Sequence, residues 1–493
     1  MTRLGRRRFL KTAAAASAAA LAPGALDVLL AGVAHGATAR ATGYGPLVPD
    51  PAGLLDLPAG FHYRTMSAAT VSTLTDPRFA DRLDDGVTVP ALHDGMASFA
   101  GPDGITILIR NHEMEPGMEP AVDPLGRRRY DRLGTGGTTT LWVDAERQLK
   151  RSFASLSGTL RNCAGGPTPW GSWLTCEECT YMPGPLDATV HDRRPDVAER
   201  HGYVFEVDAR AEGLVEPVPI RAMGRFYHEA LAVDSRTGFV YLTEDRIDGL
   251  IYRYRPEVVT SGAKRAADLA VGDLARGGTL EALRIVTRPA AITRNWADGQ
   301  PIFPRGKSFD VDWVTIPDTD PEVDMERDAE DTTTDDPLQR PPRTAPGSIR
   351  GQGIRLGAAQ FARGEGACWH GRSFFVCCTN GGRERAGQVW RLDPDHRRLT
   401  LLVEPDDRAL LDGPDNVVVA PNGDLVVCED GRGDQHVVGI TRNGRFYMIA
   451  RNAINRSEFA GACWSPDGRT LFVNVQEPGV TFAVWGPWEA RRA

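Results

Sequence analysis

Pairs of short apolar strands, each joined by a Gly, Asn or Asp turn, recur along this chain with polar residues at a fixed spacing. Cys163 stands fifteen residues before Glu178. The same offset of fifteen separates Glu229 from Glu244, Glu365 from Asn380, Asp415 from Asp430 and Gly461 from Gln476. A looser member runs from His93 through Gly101-Pro-Asp-Gly104 to Glu113. One supersecondary unit repeated every few tens of residues signals a propeller or a solenoid. With a β-hairpin as the unit, the expected fold is an all-β propeller. In such a fold the strands nearest the axis converge on a central channel. That would gather Glu113, Cys163, Glu178, Glu229, Glu365, Asp415 and Asp430, although they are far apart in the chain.

The densest unit is Asn162-Cys-Ala-Gly-Gly-Pro-Thr-Pro-Trp-Gly-Ser-Trp-Leu-Thr-Cys-Glu-Glu178. Its Pro, Gly and Trp residues favour a tight hairpin over a helix. A thiolate brought beside carboxylates points to a metal site. Sulfur suits iron or zinc, and carboxylate oxygen suits calcium, magnesium or ferric iron. For a single acid at a strand end the ordinary role is a capped turn or a surface ion pair. The shared offset argues against that role here. Both Glu177 and Glu178 are candidates, and spacing does not choose between them.

At the start of the chain, Arg6-Arg-Arg-Phe-Leu-Lys11 fits the core of a twin-arginine export signal, followed by an Ala- and Leu-rich stretch to about residue 34. Pro23 and Asp27 argue against a stable membrane span. Residues 1–41 are therefore read as a signal peptide and 42–493 as one propeller domain. The chain is expected to use the twin-arginine export machinery and to be periplasmic or secreted. A formal charge of −8 disfavours nucleic acid as a partner and suits cation binding. Eight cysteines in an exported chain allow disulfides. Cys368, Cys428 and Cys463 lie in apolar strands, where a buried thiol is the usual outcome. Cys377 and Cys378 are adjacent in a strand and should face opposite ways. Cys163 stands apart because of its acidic companions.

Phe61–Met66 and Ile105–Arg110 read as strands, and Gly202–Asp208 and Gly387–Asp393 as third strands of their units. A long insertion, about 256–362, separates the Glu229 and Glu365 hairpins. Its Ala263–Gly277 stretch reads as helical, and its acidic Asp318–Asp336 stretch as a solvated loop rather than a calcium site. His112 and His228 read as groups supporting the site rather than as ligands.

Taken together, Arg110-Asn-His-Glu113, Asn162-Cys163 with Thr168-Pro-Trp-Gly171, Leu174-Thr-Cys-Glu-Glu178, His228-Glu-Ala230, Ala362-Arg-Gly-Glu-Gly366, Pro414-Asp-Asn416, Glu429-Asp-Gly431 and Ser465-Pro-Asp-Gly468 resemble the PhoX-type alkaline phosphatases, in particular shorter PhoX-like members. The resemblance implies a six-bladed β-propeller, which agrees with the six hairpins above, and an enzyme that hydrolyses small phosphate esters. It also implies a cluster of two ferric irons (Fe3+) and three calcium ions (Ca2+) with a bridging oxo group. The family's ligands fall on Cys163, Glu113, Glu178, Glu229, Glu365 and Asp415, with Asp430 and Glu458 as further carry-overs. Arg363, two residues before the ligand Glu365, would hold phosphate oxygens. Asn111, inside the first matching stretch, is the second candidate catalytic residue. A monomer is expected. Two other classes use propellers: calcium-dependent lactonases or phosphotriesterases, and non-catalytic binding propellers. The first needs fewer metals and no thiolate, so Cys163 and the Glu177-Glu178 pair argue against it; the second would use the channel acids for one structural calcium only.

Overall fold

The computed structural model describes residues 43–69, 82–123, 125–327, 334, 336–340 and 342–490. The twin-arginine segment lies outside these residues. The architecture is all-β and propeller-like, built from antiparallel meanders. His93–Ala100, Thr106–His112, Gly136–Val143 and Leu149–Thr159 form one four-stranded sheet. Asn162–Pro167, Ser172–Glu177 and Val204–Asp208 form the next. Further meanders start at His228–Val233, Gly364–His370, Pro414–Val419 and Phe459–Trp464. The first strands form a closed ring. Each lies beside the first strand of the following meander, and Phe459–Trp464 returns to His93–Ala100. The ring is closed in sequence as well, because His62–Ala68 supplies the outer strand of the last meander by pairing with Val480–Trp485.

Successive side chains of a strand face opposite ways, so a strand between two stacked sheets must be apolar on both faces. The second strands obey this rule. Ser373–Cys378, Leu425–Glu429 and Leu471–Val475 are buried throughout. Val427 packs with Phe375 and Cys377 of the preceding sheet. Its neighbours Val426 and Cys428 pack with Val473 and Phe482 of the following one. Cys377 and Cys378 fall in different clusters, as their adjacency in a strand requires. All eight cysteines are free thiols.

The stretch 256–362 differs from the expected excursion. Gly278–Ile285 is the fourth strand of its own meander and pairs with Gly249–Pro256. Ser308–Thr315 then bridges that strand to Arg398–Val403, merging two meanders into one sheet. Ala263–Gly277 is not an α-helix. It holds two short 3-10 turns, Ala266–Asp268 and Asp273–Arg276, with glycine in the left-handed region at Gly272 and Gly277. The described part of the acidic stretch is docked rather than solvated. Asp320 accepts from the Tyr203 hydroxyl at 2.8 Å and pairs with Arg200 and Arg221, and Asp324 is fully buried.

Glutamates end three of the second strands, and each is turned into its own meander. Glu177 accepts from His201 Nδ1 at 2.6 Å and from the amides of Leu160, Gly202 and Tyr203. Glu429 accepts from the amides of Asp412 and His436 and from the His436 ring. Glu244 accepts from the Leu250 amide and the Tyr252 hydroxyl and pairs with Arg350. Arg350 comes from the helix Ile349–Arg355 and is itself fully buried. It also reaches Asp248 at 3.1 Å and Asp324 at 3.5 Å, so the insertion is clamped to the loop that follows Glu244.

Removing one partner of a buried ion pair leaves an uncompensated charge. Arg350→Met is expected to destabilise the protein by about 3–5 kcal/mol, read from denaturant unfolding. His201 carries a pH signature. Burial by itself pushes its imidazole down, but the charges and hydrogen bonds of Glu177 and Asp131 outweigh that and raise it to about 9. Its contribution is therefore full below its ordinary value of 6.5 and lost as pH rises through about 9. The unfolding midpoint should fall across that window, and His201→Gln should flatten the fall.

Candidate metal centre

Strand register defines the site. The first and second strands of each meander are paired at His93 with His112, Asn162 with Glu177, and His228 with Glu244. The same pairing joins Gly364 with Cys378, Pro414 with Glu429, and Phe459 with Val475. One residue further along the first strands stand Asp94, Cys163, Glu229, Glu365, Asp415 and Ala460. One residue beyond the second-strand partners stand Glu113, Glu178, Asp245, Thr379, Asp430 and Gln476.

A recurring backbone hydrogen bond fixes this second set to a rim just above the first. The amides of Glu113, Glu178 and Asp245 donate to the carbonyls of Leu92, Arg161 and Tyr227 at 3.0, 2.8 and 3.2 Å. Those of Thr379, Asp430 and Gln476 donate to Arg363, Gly413 and Glu458 at 3.1, 2.7 and 3.2 Å. The rim residues Leu92, Arg161, Arg363 and Gly413 all have positive φ, at 49°, 43°, 56° and 66°. This left-handed step is costly for residues other than glycine. It recurs where the chain enters the axial strand.

Neighbouring first strands approach so closely that the residue after the polar one is glycine at positions 95 and 366. A Cβ on Gly95 would lie 2.5 Å from Ala164 Cα, and one on Gly366 would lie 2.5 Å from Asn416 Cα. This close approach brings the acids together. Ligand atoms of Cys163, Glu178 and Glu229 lie within 4.8 Å of one another, as do those of Glu229, Glu365 and Asp415. Glu229 belongs to both groups. Gln476 draws in the remaining pair, its Nε2 donating to Asp94 at 3.0 Å and to Glu113 at 2.8 Å.

Two arginines of the rim supply the positive charge. Arg161 pairs with Glu113 at 2.8 Å, with Glu115 at 3.0 Å, and with Glu178. Arg363 donates through Nε and Nη2 to Asp245 at 2.8 and 3.0 Å, and Nη2 also meets Glu365 at 2.6 Å. Its Nη1 stands 3.8 Å from Asp430. Glu458 shares a hydrogen bond with Asp430 on this side of the ring.

These two cations do not balance the acids. Burial, then repulsion from Glu365 and Glu178, pushes Glu229 well above the usual carboxylate range. Burial and Asp415 raise Asp94 to about 7. Burial raises Glu113 to about 7 against the opposing pull of Arg161. Burial, then Glu229 and Glu178, pushes the Cys163 thiol far up. Protons occupy such groups only for want of a better cation. A thiol with several carboxylate oxygens within bonding reach of a common centre is a donor set for metal ions of mixed hardness.

The structure thus brings Glu113, Cys163, Glu178, Glu229, Glu365 and Asp415 together and places Asp430, Glu458 and Arg363 at the rim. It separates Glu177 from Glu178, since Glu177 is consumed by His201 and backbone amides. Asn111 is a correction. Its Nδ2 donates to the carbonyls of Cys163 and Ala164, both at 2.8 Å, and its Oδ1 accepts from Trp173 and Thr175. With its amide fully used and buried, Asn111 positions the Cys163 strand and has no bond left for substrate. Thr243 and Asn474 hold the next meander in the same way, donating to the carbonyls of Glu365 and Asp94.

Sequence reasoning missed Asp94 and Asp245. The constant offset of fifteen hid both. The true separations are nineteen from Asp94 to Glu113 and sixteen from Glu229 to Asp245. The first hairpin carries an extra turn, Pro102–Gly104. Aligning the second residue of each first strand, as in His93-Asp94, Asn162-Cys163, His228-Glu229 and Pro414-Asp415, would have found Asp94.

Comparison with known proteins fits this geometry. A family model described as alkaline phosphatase PhoX matches residues 42–479. No curated protein sequence matches the chain. Among solved structures, Pseudomonas fluorescens PhoX in complex with vanadate, a transition state analogue, superposes with a TM-score of 0.61 at 18% identity, covering 91% of this chain and 98% of that one. A gluconolactonase from Xanthomonas campestris gives a TM-score of 0.37 at 12% identity, covering 90% of this chain and 98% of that one. The likeness to the Pseudomonas structure shows a shared fold, and the family match extends over nearly all of the axial ring. This chain belongs to the PhoX alkaline phosphatase family and is a phosphatase enzyme.

Proposed function

We propose that this chain is an exported phosphatase that hydrolyses phosphate monoesters at an iron and calcium centre on the axis of a six-bladed propeller. One observation carries the reading: a buried thiol, Cys163, converges with Glu178 and Glu229 to within 4.8 Å of ligand-atom separation. The recurring amide-to-carbonyl bond at the rim supports the blade count. The family's two ferric irons and three calcium ions would be held by Cys163, Glu113, Glu178, Glu229, Glu365 and Asp415. Asp94 joins them on the grounds of its ring position. Asp430 and Glu458 would serve the outer side. When bound, the ions neutralise the phosphate dianion, polarise its oxygens and make a nucleophile available at neutral or alkaline pH.

The chain's own groups do the orienting. Asp245 and Glu365 hold the Arg363 guanidinium in a fixed plane through Nε and Nη2, which leaves the Nη1 hydrogens to meet a phosphoryl oxygen. Arg161 faces it across Tyr227 on the rim. Asn111 secures the strand that carries Cys163. Among the described residues no helix is long and apolar enough to cross a membrane. Arg6-Arg-Arg-Phe-Leu-Lys11 supports export by the twin-arginine machinery to the periplasm or beyond. That route carries folded proteins, which suits a centre loaded before export.

Cys163→Ser is expected to lose iron and phosphomonoesterase activity together, measured by elemental analysis and turnover on protein exported through its own signal. An iron-replete, active variant would overturn the ligand assignment. Chelation should lower the unfolding midpoint, because the clustered acids then repel without compensation. Returning calcium at a thousand times its Kd should restore about 4 kcal/mol of stability.

A further inference from the structure

The rim residues Arg161, Tyr227 and Arg363 stand in consecutive ring positions, directly above Cys163, Glu229 and Glu365. Tyr227 is buried at its place on the ring, and the Arg246 guanidinium lies over its aromatic face, 4.8 Å from the centroid. Arg246 follows Asp245, the carboxylate that holds Arg363. Its own carbonyl accepts the Arg363 amide at 2.9 Å. The two arginines are therefore built on one another, with Arg363 reaching the axial Glu365 and Arg246 reaching Tyr227 instead.

Arg246 has no carboxylate partner within ion-pair distance among the described residues, and unlike Arg225, which donates to backbone carbonyls, its side chain makes no hydrogen bond to them either. Arg161, Arg194, Arg350 and Arg363 all have a carboxylate partner. Its Nε is buried and makes no hydrogen bond. The buried Asp324, which feels its charge, is paired with Arg350 at 3.5 Å. The position is also fixed. Arg350 grips Glu244 and Asp248 on either side of Arg246, and Thr344 donates to Asp248 at 2.7 Å. A half-buried guanidinium with no direct ion pair, stacked on a tyrosine and with Asp324 as a buried counter-charge, can receive an anion with a flat or extended carrier.

We propose that Arg246 and Tyr227 form an outer anion subsite. It would take a second anionic group, carboxylate or phosphate, borne by the leaving-group side of the ester. Substrates carrying such a group would then be preferred over esters of neutral alcohols. This rests on the phosphomonoesterase reading above.

The test compares metal-loaded wild type with Arg246→Gln and Arg246→Lys. Phenyl phosphate, 4-carboxyphenyl phosphate and 1,4-phenylene bisphosphate serve as substrates. Benzylphosphonate and 4-carboxybenzylphosphonate serve as non-hydrolysable ligands for calorimetry. One charge-assisted contact predicts that wild type favours the carboxylated probes by about tenfold in KM and in Kd. Arg246→Gln should erase that ratio, whereas Arg246→Lys should keep part of it, which a misfolded variant would not. A bisphosphate preference without a carboxylate preference would assign the subsite to phosphate alone. Hydrolysis of all three esters with a ratio near one in wild type, or a ratio that survives Arg246→Gln, overturns the subsite and leaves the phosphatase reading standing. No hydrolysis of any ester by metal-loaded wild type overturns that reading and the proposal with it.

Discussion

Repulsion among buried carboxylates on one axis is the constraint to which the rest of this structure answers. Asp94, Glu113, Glu178, Glu229, Glu365 and Asp415 crowd a space where burial, with repulsion from neighbouring acids, raises the proton affinity of each. Burying one unpaired carboxylate is already costly. Burying several together is stable only if cations share the space. Arg161 and Arg363 supply part of that charge from the rim, and each does so from a backbone conformation that disfavours its side-chain type. The scaffold accepts local strain to hold an assembly that metal ions would complete.

That scaffold must be rigid, because the acids would otherwise move apart. Three devices keep them in place. The first strands approach to the limit set by Gly95 and Gly366. An amide beyond each second strand is tied to a rim carbonyl. Side chains such as Asn111, Thr243 and Asn474 reach into the next meander and hold its backbone. The glutamates at 177, 244 and 429 work in the same direction by occupying the loop amides, so that Glu178, Asp245 and Asp430 are left to face the axis. Within each of these acidic pairs, one carboxylate builds the loop and the other serves the centre.

The insertion has a structural role that its composition conceals. Its Asp320 meets Arg200, Arg221 and Tyr203, and its Asp324 is buried beside Arg350. Through Arg350 it grips the loop that carries Asp245 and Arg246. The loop that holds the Arg363 plane therefore depends on Arg350, 106 residues from Glu244 in the chain. A family match across residues 42–479 is consistent with the axial ring being the common part of the architecture.

The alternation of apolar strands and turns, together with acids at repeated positions, was enough by itself to specify an all-β ring and most of the acids that gather on its axis. Those features are local: strand period, turn residues and the spacing of one hairpin can all be read along the chain. The PhoX-like motifs, and Cys163 among acids, were equally legible. Tertiary structure alone decided which acid of each pair faces the axis. That choice depends on hydrogen bonds from residues remote in sequence, such as His201 to Glu177 and Arg350 to Glu244. It also revealed Asp94 and Asp245, because hairpins of unequal length share one register in space and not one offset in sequence. It moved Asn111 from the reacting centre to its support for the same reason. An amide's role is set by the partners that packing brings to it, and those lie on another meander.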